Sequence, residues 1–294
     1  MTLVFIQLIN DIPAHLWKVI RQARVFFTGD IYLVAPRRED MYSQVQSLGL
    51  KFVAEEELWE TEQNKRFLSN DILNYKGWNH FWSTACQRFI ILEALMQSRN
   101  LTNVMMIEND NTIYANPDDL QPALQKCFGE KLAFTEGAID HCSGAIVYVP
   151  KFESVKVLNN HFLYRLEKGL DWCLKNTVNP GAINEMTLMA DILSKHRGEF
   201  GLLPILPDEH NDNYDMLFML FDCMSWGQYI GGTPQKPGEP HAEPKHYIGK
   251  AILDKRVTCA IGADRKPYIY KDIAQYKLFN LHIHSKEIEK YVSY

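Results

Sequence analysis

Val104-Met105-Met106-Ile107-Glu108-Asn109-Asp110-Asn111 is the stretch whose reading decides the fold. Four consecutive apolar residues have the length and composition of a buried strand, and the run ends abruptly in two acids separated by one residue. On extended backbone, residues i and i+2 project the same way. Glu108 and Asp110 can therefore share one hard cation while the strand itself stays in the core. The competing reading is a plain polar turn over Glu108–Asn111, because Asn and Asp favour turns on their own account.

Working outward from this strand, residues 80–98 read as the helix that feeds it, with Phe81, Ala85, Phe89, Leu92 and Met96 at helical spacing along one apolar face. Further short apolar runs, Leu3–Ile9, Ile31–Ala35, Leu132–Thr135 and Ala145–Val149, have strand length and polar flanks. A second helix is expected from Ile183 to His196, striped by Met186, Met189, Ile192 and Leu193, with Pro180-Gly181 marking its start. Strands alternating with helices predict an α/β fold with a mixed central sheet flanked by helices, its first half Rossmann-like. Residues 207–215 and the Gly- and Pro-rich 231–249 read as long loops, and loops of that length inside a domain usually carry function. No linker divides the chain. The expectation is one domain over 1–294, with about 1–115 as the nucleotide-binding half and about 116–294 as the acceptor half.

In open α/β sheets, ligands gather at the carboxyl ends of the strands, so a metal-diphosphate site is expected where Glu108 and Asp110 fall. Two later segments strengthen this. In Phe279-Asn280-Leu281-His282-Ile283-His284-Ser285-Lys286, strand alternation places His282 and His284 on one face with Lys286 just beyond. Imidazole can complete the shell of a divalent cation and lysine can offset diphosphate charge, although a His pair on a strand can also be merely structural. In Phe221-Asp222-Cys223-Met224-Ser225-Trp226-Gly227-Gln228-Tyr229-Ile230-Gly231-Gly232, small residues permit close backbone approach between polar and aromatic ones. That mixture suits a sugar, with its hydroxyl edge and apolar face; a simple glycine turn is the alternative.

Taken together, these segments resemble GT-A glycosyltransferases, whose hallmark is an Asp-x-Asp-like motif closing a central strand, and most of all a group of viral and bacterial members. In that group an acidic motif, a Phe-Asp-x-x-x-x-Gly-Gln-Tyr-x-Gly-Gly segment and a terminal Leu-His-Ile-His-Ser-Lys occur in this order. The resemblance implies transfer of a sugar from a nucleotide-sugar, a UDP-sugar by default, to a glycan or other hydroxyl acceptor. It implies Mn2+ or Mg2+ held by Asp110 and Glu108, with His284 or His282 as the late ligand and Lys286 on the diphosphate. The first acid departs from the pattern by being Glu, which leaves open a reach to the ribose or a water. Gln7, Asn10 and Asp11 after the first strand resemble the nucleotide-binding edge, or else cap the strand, and Arg88 either contacts the donor or braces the acids. Gln228, Tyr229, Gly231, Gly232 and Trp226 would face the sugar. Asp222 and Glu185 are the carboxylates considered for the base of an inverting reaction, Glu185 having an ordinary helix-dipole role as its alternative.

Composition sets the limits. The 294 residues carry 31 Lys plus Arg against 36 Asp plus Glu, a formal charge of -5, and no basic run suited to a phosphate backbone, so nucleic acid is not an expected partner. The opening apolar run is too short for a secretory core or a membrane span. Six scattered cysteines without a Cys-x-x-Cys pair suggest reduced thiols in a cytoplasm-like compartment, the host's if the chain is viral. Two other classes compete with the transferase. A nucleotidyltransferase would need a Gly-rich basic loop where Asn10-Asp11-Ile12-Pro13-Ala14-His15 stands. A non-catalytic carbohydrate-binding protein would use the aromatic residues, among them Trp78, Trp82 and Trp226, without any need for both acids.

Overall fold

A computed structural model of the chain describes residues 1–9, 11–75, 80–207 and 213–294. Its centre is a seven-stranded sheet in the order β3-β2-β1-β4-β7-β6-β8. The strands are β1 (Thr2–Ile6), β2 (Ile31–Ala35), β3 (Lys51–Ala54), β4 (Val104–Ile107), β6 (Ala133–Ala138), β7 (His141–Val149) and β8 (Gly201–Leu202). The first four run parallel, with Leu3 opposite both Ile31 and Met105. β7 then turns antiparallel against β4, with Met106 opposite Val147. The expected mixed sheet flanked by helices is what the chain forms.

The strict period of two on each central strand builds two cores, one per face. Leu3, Phe5, Leu33, Met105 and Ile107 point to one side, against the helix Ala14–Phe26. Val4, Val34 and Met106 point to the other, against the helices Phe81–Arg99, Phe152–Glu167 and Glu185–His196. Helix Phe81–Arg99 departs from the one-sided stripe expected of it. Residues Phe89 to Met96 are all buried, because neighbouring helices cover its outer side too, whereas Phe81 is 58% exposed.

Several boundaries differ from the sequence reading. β1 stops at Ile6 rather than Ile9; the Gln7 N–H donates to Val34 O at 2.8 Å, the last bond that ties the segment to β2. β6 and β7 extend into the small and polar residues 136–138 and 141–144, with register irregularities in the pairing of the two strands. The second helix, expected from Ile183 with Pro180-Gly181 marking its start, begins at Glu185 and is capped by Asn184. The Asn184 side chain accepts from Thr187 N–H at 3.0 Å while Thr187 Oγ1 accepts from Asn184 N–H, a reciprocal cap. Residues 231–249 contain a short hairpin, β9 (Gly232–Thr233) with β10 (Lys236–Pro237), and lead into the helix Tyr247–Leu253. A three-stranded antiparallel sheet follows, formed by β11 (Thr258–Ile261), β12 (Pro267–Lys271) and β13 (Ala274–Lys277).

The pairing that matters most for the site joins β5 (Asn111–Ile113) to β14 (Asn280–His282), antiparallel, with His282 opposite Asn111. It brings the end of the chain alongside the acidic motif. β14 ends at His282, so the strand expected to carry both His282 and His284 stops short of the second. Ile283 N–H bonds to Asp110 O at 2.8 Å, and the chain then turns, with Lys286 at φ +62°.

Candidate active site

The parallel strands β1 and β4 are neighbours, yet the connection from β1 leads the other way, to β2 and β3. Such a reversal opens a crevice beyond the carboxyl ends of the two strands. A cleft of about 640 Å³ lies there, lined by Gln7 after β1, by Glu108, Asn109 and Asp110 after β4, and by His282, His284 and Lys286 from the end of the chain. Gln7 Oε1 accepts from Asn109 Nδ2 at 2.5 Å, and Asn109 Oδ1 faces His15 Nε2 at 3.2 Å. The two strand ends are thereby linked across the crevice mouth.

Glu108, Asp110 and His282 converge. His282 Nε2 lies 3.1 Å from Asp110 Oδ1 and 3.2 Å from Glu108 Oε2, and one ligand atom from each residue falls within 4.8 Å of the others. Two hard oxygens and one imidazole form a donor set that Mn2+ or Mg2+ accepts. Lys286 Nζ sits against Asp110 Oδ2, so a protein cation already stands at the place a metal would take. His282 Nδ1 and His284 Nε2 are buried with no hydrogen-bond partner. These residues fit a divalent cation. Of the two histidines the group contains His282; His284 stacks on it at 4.2 Å between centroids, with Nδ1 held 3.1 Å from Gln228 Nε2.

The electrostatics follow from burial. Desolvation raises Asp110, but His282 and Lys286 outweigh it and hold its carboxyl well below the ordinary value, ready as an anionic ligand. Desolvation lowers His282 and the two acids more than compensate. His284 has no such neighbour in contact, and burial followed by His282 pushes it down to about 3, a neutral imidazole.

Arg88, from the helix Phe81–Arg99, stands behind this group. It pairs with Glu108 and, at 2.7 Å, with Glu185, the first residue of the helix Glu185–His196. Desolvation works against the guanidinium, but the two carboxylates hold it charged. Burial raises Glu185 despite Arg88. Gly144 on β7 makes this network possible, since a Cβ there would collide with Glu185 Oε1 and crowd Arg88.

Other residues singled out in the sequence take different places. Asp222 is fully buried and outside the cleft lining, and both of its oxygens are used on backbone. Trp226 N–H donates to Oδ1 at 2.9 Å, and Gly227 and His282 N–H donate to Oδ2 at 2.8 and 2.9 Å. It fastens the helix Ser225–Gly231 to β14 and is not placed to act as a base. Trp226 is buried in the core with its indole N–H on Ile205 O, and Tyr229, Gly231 and Gly232 also lie outside the lining. From that segment Met224 and Gln228 reach the cleft. The reason is helical: Ser225–Gly231 is a helix whose other sides face the core, where a sugar-facing loop or a glycine turn was expected. Asn10, together with Trp78, lies outside the described residues.

Phe81 and Trp82, packed edge to face at 4.7 Å, and His141, His241, Glu243, Lys245 and His246 also line the cleft. Of these remaining lining residues, Trp82 was singled out in the sequence for a site role and the others were not. His141 Nδ1 is held by Asp140 Oδ1 at 2.7 Å. The Asp140-His141 pair at a strand start was a usable signal; His241 and His246 sit in a Pro-rich stretch whose path no local pattern specifies.

No family model matches the chain, and no curated protein matches it in sequence. Among solved structures it is similar to mouse xyloside xylosyltransferase 1 in its apo form, at 12% identity and TM-score 0.49 over 69% of this chain and 84% of that one. It is similar to PaToxG glycosyltransferase at 9% and 0.42 over 67% and 69%. It is also similar to the galactosyltransferase LgtC in complex with donor and acceptor sugar analogs, at 9% and 0.43 over 69% and 73%. Among the described residues no helix is long and apolar enough to cross a membrane.

Proposed function

We propose that this protein is a metal-dependent glycosyltransferase that takes a sugar from a nucleoside diphosphate donor, with a UDP-sugar the first choice, and passes it to a hydroxyl acceptor. The observation that carries the reading is the convergence of Glu108, Asp110 and His282 in the crevice between β1 and β4, beside a cleft large enough for a nucleotide-sugar. Asp110, Glu108 and His282 would hold Mn2+ or Mg2+, which when bound supplies Lewis-acid stabilisation of the departing diphosphate. Lys286, now paired with Asp110, would move to a diphosphate oxygen. Gln7 and Asn109 offer an amide edge to the nucleoside at the end of β1.

Arg88 keeps Glu108 and Glu185 in place from behind. Of the two carboxylates considered for proton transfer, Glu185 borders the cleft, and burial raises its carboxyl above the ordinary value despite Arg88. Among the other lining residues, the rings of Phe81 and Trp82 and the polar groups of His141, His241 and Glu243 suit an acceptor that has both an apolar face and hydroxyls.

The test is release of nucleoside diphosphate from a panel of nucleotide-sugars with Mn2+, Mg2+ or EDTA, for wild type and Asp110→Asn. Release from one donor that EDTA abolishes, and that the variant lowers at least about a hundredfold, is the expected result. Equal release by the variant, or none from any donor with either metal, overturns the proposal.

A further inference from the structure

A second group of metal-ligating side chains lies at the other end of the helix whose first residue is Glu185. His196, the last residue of that helix, meets His161 of the helix Phe152–Glu167 and Glu199 of the short turn Arg197–Glu199. The two imidazole rings are 4.1 Å apart between centroids. Glu199 reaches both, with Oε2 3.2 Å from His161 Nε2 and Oε1 2.8 Å from His196 Nδ1. One ligand atom from each of the three falls within 4.8 Å of the others.

We propose that His161, His196 and Glu199 form a second cation site, selective for Zn2+ and similar borderline metals. Bonds of about 2.0–2.1 Å around a tetrahedral ion leave adjacent ligand atoms roughly 3.3 Å apart. The carboxylate spans the two nitrogens, with Oε2 3.2 Å from His161 Nε2 and Oε1 2.8 Å from His196 Nδ1, so a small turn that brings one oxygen to face both would complete three corners of such a shell. Two nitrogens with one oxygen favour Zn2+, Ni2+ or Cu2+ over Mg2+, the reverse of the balance in the cleft, where two carboxylates meet one imidazole. The side chains of His161, His196 and Glu199 are 18%, 35% and 46% exposed, so an ion has a path in and room for a water as fourth ligand. Arg165, the nearby cation, is engaged by Asp191 at 2.7 Å and does not compete for Glu199.

The placement gives the site a job separate from the cleft. At 1.5 Å per residue the twelve-residue helix keeps the two ends about 18 Å apart. An ion there pins the C-terminal end of the helix to its neighbour and steadies the element that presents Glu185, without touching a donor.

Zinc chloride is titrated calorimetrically into the metal-stripped full chain and into three variants, His161→Gln, Glu199→Gln and Asp110→Asn, with the thermal midpoint followed in parallel. The expected result is a zinc equivalent that persists in Asp110→Asn, weakens at least about tenfold in His161→Gln and in Glu199→Gln, and raises the midpoint in wild type and Asp110→Asn alike. His161 and Glu199 are partly exposed, and Asp110→Asn keeps the size of the buried side chain it replaces, so the variants are expected to fold, and far-ultraviolet dichroism checks this. No zinc binding in Asp110→Asn, or binding there that His161→Gln and Glu199→Gln leave unchanged, overturns the proposal. Failure of the cleft reading would leave these outcomes as they are, because no donor or turnover enters the measurement.

Discussion

Four of the buried carboxylates in this chain differ in their partners, and the partners decide what each can do. Asp110 faces two cationic side chains, Glu185 a guanidinium, and Asp222 three backbone N–H groups. Glu55 has Oε2 buried with no partner at all. Its carboxyl is pushed up to about 7, first by desolvation and then by the neighbouring charge of Glu56. The sign follows from linkage: the folded state holds a proton that the unfolded chain releases near its lower, ordinary value. Stability from this group is therefore complete below that ordinary value and is lost as pH rises through about 7. Glu55→Gln removes the titration. The variant should gain about 1 kcal/mol over wild type on going from pH 5 to pH 8, after allowance for solvent screening. Urea midpoints of both proteins at the two pH values measure it, and a pH-independent difference between them would refute the assignment. Sequence made Asp110 legible because its strand and its partner acid are adjacent to it. It misled at Asp222, whose fate depends on His282, sixty residues later in the chain.

Among the elements, β2 and β4 were legible to the residue, because strands buried on both faces are written as unbroken apolar runs. The helix Ser225–Gly231 was not, since its Gly-rich sequence reads as a loop and its reason for being a helix lies in what it packs on. Gly227 lies against the backbone carbonyl of His282, so close that an added Cβ would overlap it, and Asp222 binds both segments at the same point. Gly227 is thus a spacing requirement between the helix and β14. Gly227→Ala should cost about 2 kcal/mol in stability by forcing the two elements apart. It should also weaken Mn2+ binding, because the displaced carbonyl belongs to His282 itself. Calorimetric Mn2+ titration alongside urea unfolding separates these effects. A variant that loses stability while binding Mn2+ as wild type does would show that His282 is not held by this contact.

At the scale of the whole molecule, the topology does what no single segment announces. The sheet draws β1 to β4 from the first part of the chain and β6 to β8 from the second, and the last segment returns through β14 to close the crevice that β1 and β4 open. The site is therefore assembled from residues 7, 88, 108–110, 185 and 282–286, and it exists only in the folded state. A ligand that binds only that state stabilises it by mass action, about 2.7 kcal/mol at a hundred times its dissociation constant. Two acids in the crevice should repel a bare diphosphate, and a divalent cation between them should reverse the sign of that interaction. UDP with Mn2+ is accordingly expected to raise the thermal midpoint by about 5 °C. UDP alone or Mn2+ alone should give less than half of that rise, and Asp110→Asn should abolish the excess of the pair over the sum of its parts. Scanning fluorimetry across the four ligand conditions measures this excess directly. If UDP raises the midpoint equally with and without the metal, the nucleotide is binding away from the acids, and the crevice between β1 and β4 is not where the diphosphate sits.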